Sequence, residues 1–516
     1  MTLANDTIVA PATAAGGAIA VVRMSGPRAL SICDAVFRGA QRIGAAAGHT
    51  ALFGTIVDGA RTLDEVVAAV FRAPRSYTGE DTVEISCHGS RYIIQELLAL
   101  LIRNGARMAA PGEFTARAFL AGKLDLSQAE AVADLIASGS RASHRVAVDQ
   151  LRGGYSDEFD RLHDELLRLI SLLELELDFG EEEVEFADRN ELRRTMLRIA
   201  AAIDRLTDSF ALGNAIKEGV AVAIVGRPNV GKSTLLNRLL GEQRALVSEI
   251  PGTTRDTIEA TLNLDGILYR FIDTAGLHET DDTVERMGIE RTRAAVAKAH
   301  IVMQVVDAAD PAAEPIELRP DQRSLLVVNK IDRLGGTGGP YVCPSCDIAD
   351  ASSISAAAYS NDSPATSTVR PRPDRLPTVS DDSSHPIGRS AGHPAADSGR
   401  NRPVCHAEPD GLPHEALFIS ARTGSGMDRL LAALRSAVDT SALEQGDTIV
   451  TNSRHREALC RARTALDAAL GGLDRLTPDL LSEEIREVAH HLGTITGRIT
   501  NDEILKTIFA KFCIGK

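Results

Sequence analysis

The chain reads as a multidomain protein of the α/β plus α class: an N-terminal α+β domain, a helical domain and a parallel-sheet domain. Three observations predict this. Its 516 residues exceed what one hydrophobic core serves. Apolar residues recur at helical spacing over about 126–216 and again over 442–516. From Ala221 onward, short apolar strands alternate with helical segments, the order a parallel sheet requires.

The N-terminal α+β domain is expected over 1–120, with strands at 18–23 and 66–71. A helix follows at Arg91–Arg103, where Ile93, Ile94, Leu97, Leu98 and Leu101 fall on one face. The first helical part is expected over 121–218. Asp125 or Ser127 caps a helix at 128–137. Over 155–179, Phe159, Leu162, Leu166, Leu169, Leu173 and Leu177 form a long stripe for packing. The acid run 181–185 reads as a solvated turn. The sheet domain spans 219–440, with strands at 221–225, Ile267–Ile272, 301–306, 324–328 and 416–419 and a closing helix at 427–438. Most of these strands are continuous apolar runs, as expected when both faces are covered. Residues 335–413 are rich in Ser, Pro, Asp, Ala and Gly and are expected to be a disordered insertion. Residues 441–516 form the second helical part.

Composition narrows the class of function. The hydrophobic share of 44% and charged share of 25% are those of a soluble globular protein. No apolar run reaches the ~18 residues that span a bilayer, and the N-terminus lacks the pattern of a secretory signal. Seven cysteines without a paired framework point to a reducing compartment, so the expected location is the cytoplasm, with no membrane partner. The net charge of −15 excludes binding of nucleic acid through the overall field. Contact with RNA would need local basic patches or a partner subunit.

Five motifs stand in order in the sheet domain. Gly226-Arg-Pro-Asn-Val-Gly-Lys-Ser233 follows a strand and opens a helix, the context in which backbone N–H groups close around phosphates. Asn229, Val230, Gly231, Lys232, Ser233 and Thr234 are its candidate nucleotide contacts. Lys232 would reach the β- and γ-phosphates, and Ser233 would ligate Mg²⁺. Thr253 and Thr254 lie where a switch segment belongs. Asp273, Thr274, Ala275 and Gly276 end the strand Ile267–Ile272, with Asp273 placed to hold Mg²⁺ through its shell. Asn329-Lys330-Ile-Asp332 selects guanine, because a buried Asp332 carboxylate would accept two N–H donors that adenine lacks. Ser420-Ala421 fits the last base-contacting element. Together these predict a Ras-like P-loop G domain that binds and hydrolyses GTP. Many such enzymes orient water with a glutamine where this chain has Leu277. The candidates for that role are Glu279, Asp281, Asp282 and Glu285. Arg255 or Arg286 could serve as an arginine finger, and a monovalent cation near Asn229 could supply the same charge.

Over nearly its full length, the insertion excepted, the chain resembles the MnmE (TrmE) family of tRNA modification GTPases. The resemblance rests on Asp6-Thr-Ile-Val-Ala10, Ser76-Tyr-Thr-Gly-Glu-Asp81 and Pro111-Gly-Glu-Phe-Thr-Ala-Arg-Ala-Phe-Leu120. It also rests on Lys123-Leu-Asp-Leu-Ser-Gln-Ala-Glu130, the G-domain motifs and the terminal Phe512-Cys-Ile-Gly-Lys516. It implies a G domain inserted into a helical domain built from both sides of the chain, and a homodimer formed through the N-terminal domain. It implies potassium-dependent pairing of G domains, with Asn229, Ser248, Ile250 and Thr253 lining the K⁺ site. Ser233 and Thr254 would bind Mg²⁺, and Glu285 would orient water. An MnmG-like FAD protein would join it in a heterotetramer that builds a carboxymethylaminomethyl-type group at C5 of the tRNA wobble uridine. A tetrahydrofolate derivative would supply the one-carbon unit, contacted by Arg23, Glu80, Lys123 and Lys516. His278 stands where the family often has arginine. A GTP-switched ribosome or RNA assembly factor is the competing class, but it would need neither folate contacts nor the Cys-Ile-Gly-Lys terminus.

The remaining features have sharper and blander readings. Cys513 is either a functional thiol near the modification site or a buried neighbour of Phe512; Lys516 fits a prenylation box poorly. Cys343, Cys346, Cys405 and His406 have zinc-like spacing but sit in the low-complexity segment. His490 and His491 read as core or surface histidines. Arg454, Arg456, Arg461 and Arg463 read as an RNA-phosphate contact or as a solvated helix face.

Overall fold

The structure, a computed structural model, describes residues 6–178, 188–242, 260–272, 293–311, 316–319, 322–334, 416–500, 502–510, 512 and 515. The acid run 181–185 and the expected insertion 335–413, with Cys343, Cys346, Cys405 and His406, lie outside the described residues.

The N-terminal part is a seven-stranded sheet built from β1 (Ile8–Pro11), β2 (Ile19–Ser25), β3 (Phe37–Gly39), β4 (Thr50–Asp58), β5 (Arg61–Phe71), β6 (Thr82–His88) and β7 (Arg107–Met108), in the order β3-β4-β5-β6-β2-β1-β7. Its pairs are antiparallel except β1 with β7. In β5, Asp64, Val66, Ala68 and Val70 alternate inward, the two-residue period of a sheet with one covered face. The helices Ala29–Val36 and Arg91–Arg103 cover that face through Leu30, Ile32, Cys33, Leu97, Leu98 and Leu101. On the outer face Phe53 and Val67, opposite each other in register, are 68% and 41% exposed.

The helical part draws on both sides of the chain. Helices Gly154–Asp178 and Arg189–Glu218 share one core with helices Ser453–Gly472 and Pro478–Thr496. The expected stripe is buried at Phe159, Leu162, Leu166, Leu169 and Leu173, but Leu177 is 43% exposed, lying past the last turn that packs. Helix Leu126–Ala137 begins two residues earlier than expected. Asp125 is its cap, in a reciprocal box with Gln128. Ser127 is buried and bonds Asp125 and Ser156 instead. The returning chain crosses helix Arg189–Glu218 at Gly213, where a Cβ would stand 2.0 Å from the Val450 carbonyl oxygen. Helices Glu113–Leu120 and Asp502–Phe509 meet through Ala116, Leu505, Ile508, Phe509 and Phe512.

The G domain is a six-stranded sheet among the described residues, in the order β13-β12-β11-β8-β10-β9. Its strands are β8 (Val220–Val225), β9 (Ala260–Leu264), β10 (Ile267–Ile272), β11 (Ile301–Asp307), β12 (Arg323–Asn329) and β13 (Leu417–Phe418). The expected parallel sheet carries one antiparallel edge, β9 on β10. Asp265 (φ 51°) and Gly266 (φ 88°) form its two-residue turn, an Asp-Gly hairpin signal present in the sequence. Helices Lys232–Glu242 and Met427–Ser436 pack on the sheet through Leu235, Leu239, Leu430 and Leu434.

Candidate nucleotide site and N-terminal cleft

The buried strand β8 ends in the loop 226–231, and helix Lys232–Glu242 starts at once. Gly226 (φ 149°) and Gly231 (φ 99°) have no room for a side chain. A Cβ would stand 2.2 Å from the Val305 carbonyl oxygen at Gly226 and 2.4 Å from Asn329 Nδ2 at Gly231. Asn229 adopts φ 63°, a left-handed turn that Asn tolerates. Lys232 Nζ donates to the carbonyls of Gly226 and Arg227, both at 2.8 Å. Burial lowers its pKa, an energetic bias toward an anion that would compensate the desolvated charge.

Asn329, 1% exposed, fastens this loop to two others. Its Nδ2 donates to the Val230 carbonyl at 2.9 Å, and its Oδ1 accepts from Ala421 N at 3.0 Å. Lys330, at φ 68°, donates to Asp307 Oδ2 at 2.8 Å and to the Asn229 carbonyl. The Lys330 ammonium holds the Asp307 carboxyl below its usual range. Ser420 Oγ donates to Asp332 Oδ1 at 2.6 Å and accepts from Thr423 N at 3.2 Å. Asp332 is exposed rather than buried as expected, because it stands on the short 3₁₀ turn Ile331–Arg333 beyond the sheet. These loops cluster at the C-terminal ends of parallel strands, where open α/β sheets bind ligands. A ring of backbone donors, a helix N-terminus and a lysine suit a polyphosphate; one fixed carboxylate suits a base with paired N–H donors. Neither the Asp307–Lys330 pair nor the two hydrogen bonds of the Asn329 amide was legible in the sequence. The only signal for either was the motif containing Asn329 and Lys330.

Other expected site residues, namely Ser248, Ile250, Thr253, Thr254, Arg255, Asp273, Thr274, Ala275, Gly276, Leu277, His278, Glu279, Asp281, Asp282, Glu285, Arg286, Cys513 and Lys516, lie outside the described residues. Val230 is buried, Ser233 is half-buried and Thr234 is exposed at the start of the helix.

A second cluster lies in the N-terminal part. Arg23 Nε donates to Glu84 at 2.8 Å, and its Nη1 donates to the Gly515 carbonyl at 3.3 Å, a contact between residues 492 apart. The Arg23 guanidinium lies 5.5 Å from the Tyr77 ring centre and 5.8 Å from that of Phe114. Gly515 (φ 99°) fits closely, since a Cβ there would stand 2.1 Å from the Pro11 carbonyl oxygen. Glu80 accepts from Ser25 Oγ at 2.7 Å and from Arg117 at 3.1 Å. The Lys123 side chain passes Gly79, the neighbour of Glu80, and is exposed. Arg23 thus ties Gly515 to the N-terminal sheet, and Glu80 is held by Ser25, on the same strand as Arg23, and by Arg117. Nothing local in the sequence marks Arg117 or Ser25 as partners of Glu80.

The arginines 454, 456, 461 and 463 do not form a free basic face. Arg454 binds Glu130 at 2.9 Å, Arg461 binds Glu457 at 2.5 Å and Arg463 binds Asp204 at 2.8 Å, while Arg456 covers the Phe210 ring. Burial pushes the Cys33 and Cys87 thiols up to about 12 and about 11, so neither is a thiolate at neutral pH.

The fold and these loops define a P-loop GTPase. Residues 126–513 match the family model described as "MnmE helical domain", and residues 7–123 match "GTP-binding protein TrmE N-terminus". The chain is 45% identical to the protein named tRNA modification GTPase MnmE of Christiangramia forsetii, with 99% of each covered. It is 46% identical to the protein of that name in Cytophaga hutchinsonii, covering 99% of this chain and 98% of the relative. Among solved structures, Era of Aquifex aeolicus bound to GDP·AlF4⁻ aligns at 33% identity over 22% of this chain and 42% of that one, with a TM-score of 0.16 that carries no structural argument. The chain belongs to the MnmE (TrmE) family.

Proposed function

We propose that this chain hydrolyses GTP to drive carboxymethylaminomethyl-type modification at C5 of the tRNA wobble uridine, acting with an MnmG-like FAD protein. The observation that carries the GTPase part is the Asn329 amide. It ties the phosphate loop at Val230 to the loop of Ser420 and Ala421, and so holds phosphate and base contacts at a fixed spacing. The modification part is supported by the matching names and coverage of the relatives.

On this reading backbone amides of 229–234 and Lys232 hold the phosphates, and Asp332 accepts from the guanine edge. Ser233 and Thr254 would hold Mg²⁺, and Asn229, Ser248, Ile250 and Thr253 would hold K⁺; both ions supply positive charge beside the phosphates. The place of Ser233 in the first turn of helix Lys232–Glu242 suits that role. Asp273 through Gly276 would respond to the γ-phosphate, and Glu285 would orient the water that Leu277 cannot. Arg23, Glu80, Lys123 and Lys516 would contact a tetrahydrofolate derivative, with Cys513 nearby. The exposed Phe53 and Val67 pair supports a homodimer through the N-terminal sheet. Among the described residues no helix is long and apolar enough to cross a membrane; a cytoplasmic location accords with a tRNA substrate.

Nucleoside analysis of tRNA from cells lacking the gene tests the modification claim. Loss of the modified wobble uridine is expected. Unchanged wobble uridines would reject it in favour of a GTP-switched assembly factor. GTP turnover is expected to be faster in KCl than in NaCl, and Asn229→Ala is expected to remove the difference. Equal rates of the wild type in both salts would refute the potassium assignment.

A further inference from the structure

Arg117 is 3% exposed, and arginine is rarely buried without partners. Its Nη1 donates to Glu80 Oε1 at 3.1 Å and to the Asp6 carbonyl at 2.9 Å. Its Nη2 donates to Asp6 Oδ1 at 2.6 Å and to Glu113 Oε1 at 3.0 Å. Both terminal nitrogens of the planar fork are therefore engaged in one orientation. Glu113 and Asp6 are in turn fixed from behind by Arg107, at 2.7 Å each, and Glu113 also accepts from Ala110 N at 2.8 Å. On the other side of Glu80, Ser25 Oγ donates at 2.7 Å and is itself bonded to Thr78. Glu80 is thus held by Arg117 and Ser25 together, while its side chain keeps 22% exposure.

We propose that Arg117 is a positioning residue. It holds the Glu80 carboxylate in one rotamer, so that Glu80 meets the N–H donors of a bound pterin-type ring without reordering. The proposal rests on the reading that Glu80 contacts tetrahydrofolate. Arg117 itself is buried among its acidic partners and acts through Glu80. Lysine at this position would keep the charge and lose the fork, since a point-charge ammonium cannot serve Glu80, Asp6 and Glu113 together.

The test is calorimetric titration of the full chain with tetrahydrofolate, kept free of oxygen. The variants are Glu80→Gln, Arg117→Lys, the double variant and Arg107→Met. Arg107 holds Asp6 and Glu113 but does not touch Glu80, so Arg107→Met controls for lost stability in the same cluster. Glu80→Gln and Arg117→Lys are each expected to weaken binding by roughly tenfold or more. The double variant should lose no more than Glu80→Gln alone, because Arg117 acts only through that carboxylate. Arg107→Met should lower the melting temperature as Arg117→Lys does, yet bind as the wild type does. Wild-type affinity in Arg117→Lys, additive losses in the double variant, or an equal loss in Arg107→Met would each overturn the positioning role. Wild-type affinity in Glu80→Gln would overturn the folate reading itself, and the proposal with it.

Discussion

Glu130 is the clearest case of a single side chain whose surroundings dictate its behaviour. It is 7% exposed, and helix Leu126–Ala137 points it at His455 and Arg454 from the far side of the sequence. Burial works to raise its pKa, but His455 and Arg454 hold it down to about 2. Burial also lowers the pKa of His455, which is bonded to Tyr155 at 2.9 Å and to Glu130 at 2.7 Å. Arg454, always charged, sets a further cation 2.9 Å from the same carboxylate. The carboxyl binds its proton less readily in the folded chain than in the unfolded one. Its contribution is complete above the unfolded value of 4.5 and is lost as pH falls toward about 2. The amount is about 3 kcal/mol. Denaturant titrations between pH 5 and pH 2 should show the wild type losing about that much more stability than Glu130→Gln. Parallel curves for the two proteins would contradict the assignment. None of this was legible in the sequence. Glu130 lay inside a recognised motif and Arg454 in a basic run, but 324 positions separate them and no local pattern joins them.

The hairpin of β9 and β10 shows what one element does. Residues 243–259 precede it and residues 273–292 follow it, so it links the two stretches that hold the expected switch residues. Its tip docks on the helical part: Ala142 N donates to the Gly266 carbonyl at 3.0 Å. Arg435 bonds Asp265 at 2.6 Å. A carbonyl of one domain thereby satisfies an N–H of the first turn of helix Arg141–Leu151, which would otherwise lack a partner. Gly266 permits the approach, since a Cβ there would stand 2.9 Å from Arg141 Cβ. Gly59, at φ 62°, turns the β4–β5 hairpin with nothing within 4 Å of its Cβ position. Gly59→Ala should cost about 1 kcal/mol, from backbone strain alone. Gly266→Ala should cost about 1–3 kcal/mol more, because overpacking adds to the strain. Equal losses on thermal melting would show that the tip does not dock. At this scale the sequence was most informative where periodicity ran long. Helix Arg91–Arg103 and strand Ile267–Ile272 fall at their expected limits. The strands β1, β3, β4, β6, β7 and β9 were missed: four of them are too short for a pattern to register, and of the longer two, β4 carries Gly54 and β6 the polar Glu84 and Ser86 within their apolar runs.

The whole molecule brings distant parts of the chain together. Residues 154–206 and 450–495 share one helical core with the G domain inserted between them, and Gly515 returns to Arg23 and Pro11 in the N-terminal sheet. The fold class was readable because each part keeps its own period, and the order of the nucleotide motifs fixed which sheet end is used. The proximity of Asn329, Asp332 and Ser420 was legible because the motifs name them. Arg117 was not, because a buried arginine looks like any other until its three carboxylate partners are placed around it. The net charge of −15 also fits the pairing of Arg454, Arg461 and Arg463 with acids, which leaves tRNA contact to other surfaces or to a partner. The central claim is that backbone amides around Lys232 grip a triphosphate while Asp332 selects guanine. Direct titration of the purified full chain with GTP and with ATP in Mg²⁺ and KCl tests it most directly. Saturable GTP binding at least roughly a hundredfold tighter than ATP binding is predicted. Equal affinity for the two nucleotides, or no binding of GTP, would contradict it.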